Sequence, residues 1–170
     1  VKKCPTCGEW EEDGNDECTN CGSDLDISDL LPTQKQIVRV LSVRQPWAWL
    51  IVNGWKNIEN RDRSTSIRGR ILIHAAKATE YRACSVFLNG FSWGPELLKQ
   101  IPPMSDMQHG GIVGEATILD CVDHHESEWF TGRYGFVLAD QKPLPFVPLK
   151  GRLGFFTWDG TITENSIKVA

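Results

Sequence analysis

The sequence predicts an α+β domain whose sheet closes into a small barrel, preceded by a short cysteine-bearing head. Three observations carry this. Four cysteines fall in two Cys-x-x-Cys-Gly pairs within the first 22 residues. Beyond residue 37, apolar runs of strand length outnumber helical ones and do not alternate with them regularly. The 170 residues, 41% hydrophobic and 24% charged, suffice for one core and a small appendage. That composition excludes a wholly disordered chain. The longest apolar run, Trp47 to Val52, excludes a membrane helix, which needs about 20 residues. No signal-like segment surrounds Val1-Lys2-Lys3, so the expected location is cytoplasmic.

In the head, Cys4-Pro5-Thr6-Cys7-Gly8 and Cys18-Thr19-Asn20-Cys21-Gly22 form two knuckles, with ten residues between Cys7 and Cys18. Two residues between thiols let a tight turn aim both sulfurs at one metal, and the following Gly permits the left-handed backbone that turn requires. Four thiolates suit tetrahedral Zn2+ as a structural ion. Disulfides are disfavoured in a cytoplasmic protein, and so short a head has almost no apolar core without metal. A rubredoxin-type iron centre uses the same ligands. The acidic stretch Glu9–Glu17 suits a protein surface better than a phosphate. The expected organisation is a zinc ribbon over residues 1–22, a linker over 23–36 with a helical turn near Ile27–Leu31, a main domain over 37–159 and a tail over 160–170.

In the main domain, Ile37–Val43 alternates and reads as a strand. Pro46 then offers a first helical position for a short helix through Asn53, closed by Gly54. Lys56–Arg63 is charged and alternating; Ile71–Ala76 reads as a buried strand. Thr79–Leu88 reads as a helix capped by Thr79. Phe91–Met107, with Pro95, Pro102 and Pro103, reads as irregular. Strands follow at Gly111–Val122, Tyr134–Leu138 and Leu153–Trp158, separated by the Asp123–Arg133 loop and a proline-spaced segment over Pro143–Pro148. Cys84 and Cys121 read as buried thiols.

The net charge of −4 divides into opposed blocks. Residues 1–36 carry three bases and nine acids; residues 37–82 carry nine bases and three acids. Concentrated Arg is what a phosphate-contacting surface needs, the alternative being a solvated face. Such a block implies roughly three to five phosphate contacts with a single strand.

Several motifs resemble the ASCH (activating signal cointegrator homology) family of the bacterial or phage type. They are Leu41-Ser42-Val43-Arg44-Gln45-Pro46-Trp47-Ala48, Gly54-x-Lys56-x-x-Glu59-x-Arg61, Arg68-Gly69-Arg70 and Leu72-Ile73-His74-Ala75. Trp129-Phe130-x-Gly132-x-Tyr134-Gly135 and Gly151-x-Leu153-Gly154 follow. The resemblance spans roughly 37–159. It implies a PUA-like small β-barrel with flanking helices, a cleft beside the first helix lined by the Lys56–Arg61 element, and binding of RNA or other nucleic acid.

On that reading, Arg44, Lys56, Arg61, Arg68 and Arg70 contact phosphates, Gln45 and Glu59 hydrogen-bond the ligand, and Trp47, Trp129 and Tyr134 offer stacking surfaces. The alternatives are a Glu59–Arg61 or Lys56–Glu59 ion pair, and core packing for the aromatics. His74 reads as a hydrogen-bonded core histidine; His124 and His125 read as a solvated loop. The expected function is non-catalytic binding of single-stranded or modified nucleic acid, RNA first, with a protein partner at the acidic ribbon as a further expectation. A hydrolase using Lys56 and Glu59 is the alternative. The resemblance to amidohydrolase members places a Thr nucleophile where this chain has Glu59, which lacks the hydroxyl. A protein-interaction adaptor is the third reading.

Overall fold

The computed structural model describes residues 2–4, 6–12, 17–23, 37–163 and 166–168. Two compact units divide the chain, residues 1–35 and 36–170. The expected linker lies, apart from Ser23, outside the described residues, as does the turn near Ile27–Leu31.

The smaller unit holds a two-residue hairpin, β1 (Lys2–Lys3) and β2 (Trp10–Glu11), which pair antiparallel.

The larger unit runs β3 (Val38–Gln45), α1 (Trp47–Val52), β4 (Ile58–Arg61), β5 (Gly69–Thr79), α2 (Tyr81–Leu88), α3 (Gly94–Gln100), a 3-10 turn (Met104–Asp106), β6 (Gly111–Val122), β7 (Tyr134–Pro148), β8 (Phe155–Trp158), β9 (Thr161–Thr163) and β10 (Ser166–Lys168). Six strands form one sheet in the order β4-β7-β6-β5-β3-β8, with β3 and β5 parallel and the other pairs antiparallel. Register shifts interrupt the β6–β7 ladder between Ile112 and Gly114, Glu115 and Thr117, and Ile118 and Asp120. Each extra residue bends the strands and increases their twist.

The expected class, mostly sheet with a few helices behind a cysteine cluster, is what is found; the closure differs. Backbone pairing leaves a seam between the β4 and β8 edges. A side chain from β4 crosses it instead. The Arg61 Nη2 donates to the Ser42 carbonyl at 2.7 Å, and the Ser42 N–H donates to the Gly154 carbonyl at 3.1 Å.

One core lies between the sheet and α1, where Leu41, Val43, Ile71, Ile73, Ile118 and Phe136 meet Ala48, Ile51 and Val52. Six residues make no stable helix alone, so tertiary packing holds α1. Its other face sends Leu50 against Cys84, Leu88, Leu97 and Trp129, placing α2 and α3 beside it. Val40, Leu72, Ile112 and Phe156 form a third cluster. β5 is therefore buried on both faces, as its continuous apolar run predicts.

Five expectations need correction. Pro46 is the cap of α1 rather than its first residue. α2 starts after Glu80, and Thr79 closes β5, because the Glu80 backbone N–H is held by the Gln45 carbonyl at 2.7 Å. The segment read as irregular contains α3: Pro95 sits in its first turn, where the missing N–H has no intrahelical partner to lose. Pro143, Pro145 and Pro148 lie inside β7, in the half whose ladder partner is β6 alone, so an N–H is dispensable on the other side. The segment 160–170, expected as a tail, carries the β9–β10 hairpin.

Candidate functional site

The knuckle cysteines converge. Cys4, Cys7, Cys18 and Cys21 place their sulfurs within 4.8 Å of one another, and the Cys4–Cys21 and Cys7–Cys18 sulfurs are 3.6 Å apart. Four thiolates around one zinc at about 2.3 Å stand about 3.8 Å from each other, whereas a disulfide needs about 2.05 Å. The residues present fit a tetrahedral metal ion. Each knuckle repeats the same turn: Gly8 N–H bonds the Cys4 carbonyl at 2.9 Å and Gly22 N–H the Cys18 carbonyl at 2.8 Å. Both glycines are left-handed, at φ +79° and +69°. The Cys7 N–H brings the Cys4 thiol down to about 6, and the Ser23 hydroxyl lowers Cys21; burial pushes Cys18 up to about 12. Buried Glu11 accepts from the Thr19 N–H at 3.0 Å and its hydroxyl at 2.9 Å, bracing the second knuckle.

In the larger unit, two adjoining cavities form a cleft beside α1. The first, about 320 Å³, is lined by Trp47, Lys56, Glu59, Phe87, Trp129 and Thr131 among others. The second, about 300 Å³, shares Trp47, Glu59, Asn60 and Glu80 with it and adds Arg44, Arg61, Asp62 and Leu153.

An ion triad, with Lys56 and Glu59 buried and Arg61 half-buried, forms the floor. Lys56 Nζ lies 2.9 Å from Glu59 Oε2, and Arg61 Nη2 3.0 Å from Glu59 Oε1, so each carboxylate oxygen meets one cation. Lys56 also donates to the Ile58 carbonyl and lies 5.7 Å over the Trp47 ring. Arg61 Nε is buried without a hydrogen-bond partner, a cost of about 1–3 kcal/mol. Glu80 forms the wall, accepting from Arg44 and, at 2.8 Å, from the Trp47 indole N–H. Phe87 meets Trp47 edge-on at 5.9 Å and stacks on Trp129 at 5.4 Å. Asn60 fixes the opposite wall: its Nδ2 donates to the Trp129 carbonyl at 2.8 Å, and its Oδ1 accepts the Thr131 and Gly132 N–H groups at 3.0 Å.

Of the residues singled out from the sequence, Arg44, Trp47, Lys56, Glu59, Arg61 and Trp129 meet at this cleft. Gln45 is 2% exposed and holds the first turn of α1 from the residue before its cap, accepting from the Trp49 N–H at 3.0 Å and donating to the Gln108 carbonyl at 3.0 Å. Arg68 pairs with Asp120, and Arg70 pairs with Glu115 beside Lys142, so the expected phosphate contacts at 68 and 70 lie just before and at the start of β5, outside the cleft lining. Tyr134 lies under Arg133 rather than in the cleft. His74 is a core histidine: its Nε2 donates to the Leu149 carbonyl at 2.9 Å and its Nδ1 accepts from the Ser42 hydroxyl at 3.1 Å. Burial pushes the Cys84 thiol up to about 12, leaving it unreactive at neutral pH.

Sequence reasoning missed Asn60, Glu80 and Phe87. Asn60 sits inside the Lys56–Arg61 element and carried a readable signal; Glu80 and Phe87 arrive through α2. The cleft cations Arg44, Lys56 and Arg61 are matched by Glu59, Asp62 and Glu80. The basic block thus presents a charge-balanced aromatic cleft rather than a bare cationic surface.

The family model of the ASCH domain matches residues 41–150. Activating signal cointegrator 1 of Homo sapiens is 28% identical over 144 residues, 75% of this chain and 23% of that protein, and its Mus musculus counterpart matches to the same extent. The chain spans about a quarter of the length of these curated relatives. Among solved structures, ASCH from Zymomonas mobilis is 19% identical, covering 65% of this chain and 73% of its own, at a TM-score of 0.41. A single-residue variant of it gives 18%, 67%, 77% and 0.42.

Proposed function

The chain belongs to the ASCH-domain family, and from that premise we propose that it binds single-stranded or modified nucleic acid, RNA first, by taking one unpaired base into the aromatic cleft. The observation that supports this reading is the cavity of about 320 Å³ between Trp47, Phe87 and Trp129, floored by the Lys56–Glu59 pair. That volume lies at the small end of ligand pockets, about 300–1,000 Å³, and suits a planar heterocycle with polar edges. Trp47 supplies the ring, its tilt fixed by Glu80. Asn60 holds the opposite wall and Glu59 the floor, Lys56 donates to a base carbonyl, and Arg44 and Arg61 take the flanking phosphate.

Because the cleft cations already have carboxylate partners, the expected phosphate count falls from three to five to one or two. The salt dependence should be correspondingly shallow, with a slope of log K on log[salt] of about −0.7 to −1.4. In the same proposal the four thiolates hold a structural zinc, which folds residues 2–23 and takes no part in ligand chemistry.

The buried Lys56–Glu59 pair also keeps a hydrolytic reading in play, and one experiment separates the two. Labelled single-stranded RNA, single-stranded DNA and duplexes are titrated by fluorescence anisotropy, while RNA and acylated nucleosides are followed for product. Binding without turnover, weakened about 5- to 150-fold by Trp47→Ala, supports the reading, since a stacked base contributes about 1–3 kcal/mol. Turnover lost in Glu59→Gln with binding kept favours the hydrolase. Neither binding nor turnover overturns both and leaves the adaptor.

A further inference from the structure

The seam between the β4 and β8 edges encloses a third cavity of about 280 Å³, lined by Leu41, Arg61, Asp62, Arg63, Phe136 and Phe155 among others. It shares Arg61 and Asp62 with the Arg44-bearing cavity, so three concavities lie in a row with the Arg61 guanidinium between the last two.

Its floor is apolar and aromatic: Phe155, half-buried, stacks on Phe136 at 5.6 Å with the rings 22° apart. At its rim, Arg63 is exposed and, among the described residues, forms no ion pair, in contrast to Arg44, Lys56, Arg61, Arg68 and Arg70. An aromatic floor with an uncommitted guanidinium beside it has the chemistry of a nucleotide site: a ring to stack the base and a fork for its phosphate. Between the cavities, Arg61 carries the buried Nε that lacks an acceptor. A phosphodiester oxygen lodged at this divide, with a small widening of the seam, supplies one.

We propose that the seam is a second nucleotide subsite, so that the protein holds two consecutive nucleotides: one base in the Trp47 cleft, the linking phosphate at Arg61, and the next base on Phe155 with its outer phosphate on Arg63. This rests on the cleft reading above and extends it from a single base to a dinucleotide step.

The test is a length series of mixed-sequence ribonucleotides and deoxyribonucleotides of one, two, three and six residues, phosphorylated at both ends and titrated against the full chain. Affinity should rise tenfold or more from one residue to two and change little beyond. In Arg63→Ala the gain should shrink below threefold, with mononucleotide affinity within twofold of wild type. Phe155→Leu, which keeps an apolar filler in the core, should do the same. If Trp47→Ala weakens every length while Arg63→Ala and Phe155→Leu change nothing, the seam proposal falls and the cleft reading stands. Binding at no length, or binding insensitive to Trp47→Ala, removes both.

Discussion

Glu59→Gln removes the one anion shared by two cations on the cleft floor. The Lys56 side chain is 4% exposed and that of Glu59 9%, at 2.9 Å separation, so water screens the pair poorly. At an effective dielectric of about 20, unit charges that close attract by about 6 kcal/mol, and the Arg61 contact at 3.0 Å is of the same order. Desolvation of three charged groups offsets much of that gain. The larger effect comes from breaking the set: an ammonium left buried without its anion costs about 3–5 kcal/mol. For a domain of this size, where 1 kcal/mol moves Tm by about 3–5 °C, thermal unfolding of Glu59→Gln should begin about 10–20 °C lower. Lys56→Met/Glu59→Gln should recover more than half of the loss, since the dry ammonium is then gone and only Arg61, 24% exposed and still donating to the Ser42 carbonyl, lacks its carboxylate; Lys56→Met alone should be milder, because Arg61 still faces Glu59. Denaturant unfolding by tryptophan fluorescence with circular dichroism gives the three differences as a double-mutant cycle. A Glu59→Gln protein within 1 kcal/mol of wild type, or a double variant less stable than either single one, would refute the account of a dry, mutually dependent pair.

Three further predictions follow from other parts of the molecule. Protein purified without chelator should carry about one zinc per chain by elemental analysis; Cys18→Ser should lose it and unfold residues 2–23, while the cleft domain keeps its melting transition. Burial alone would raise the Glu115 carboxyl, but hydrogen bonds and charge from Lys142 and Arg70 outweigh it and hold the group below its ordinary 4.5. Its stabilising contribution is therefore present above that value and lost as pH falls through the depressed one. Tm measured between pH 7 and pH 3 should drop at the acid end, less steeply in Glu115→Gln, and equal slopes would contradict the shift. Gly151→Ala would place a methyl 2.3 Å from the His74 ring, so the loop carrying Leu153 must shift; reduced Tm with weakened oligonucleotide binding is expected.

What the sequence revealed follows the range over which each cause acts. The knuckles are local: two residues between thiols and a glycine after them determine the turn, and the four sulfurs meet as expected. β6 matches its expected bounds because a mostly apolar stretch, broken only by Glu115, Thr117 and Asp120, lies between a glycine pair and the charged Asp123–Glu128 segment. The basic block was the misleading signal. Its partners Glu80, Glu115 and Asp120 lie 36, 45 and 52 residues from the arginines they meet, and the last two fall beyond a window that ends at residue 82, which therefore holds Arg68 and Arg70 without their anions. The short-range Lys56–Glu59–Arg61 pairs were visible in the spacing and stood among the alternatives. Thr79 looked like a cap because cap preference is local, whereas the helix start is set by the Gln45 carbonyl, 35 residues upstream. Arg63 is counted in the basic block but, like Phe155, has no assigned role in the sequence, because no periodicity marks a gap between two sheet edges.

An unclosed sheet ordinarily invites foreign strands, since each edge offers a row of unpaired backbone groups. The protein limits that hazard cheaply. Both edges are only four residues long, shorter than the usual five or six, and the Ser42 carbonyl where β3 runs past β8 is already occupied by Arg61. An intruding strand would have to displace a guanidinium that is also tied to Glu59. A residue conspicuous for its place at the aromatic cleft thus also guards the open sheet against edge-to-edge association. Its removal would register as concentration-dependent light scattering before any ligand is added.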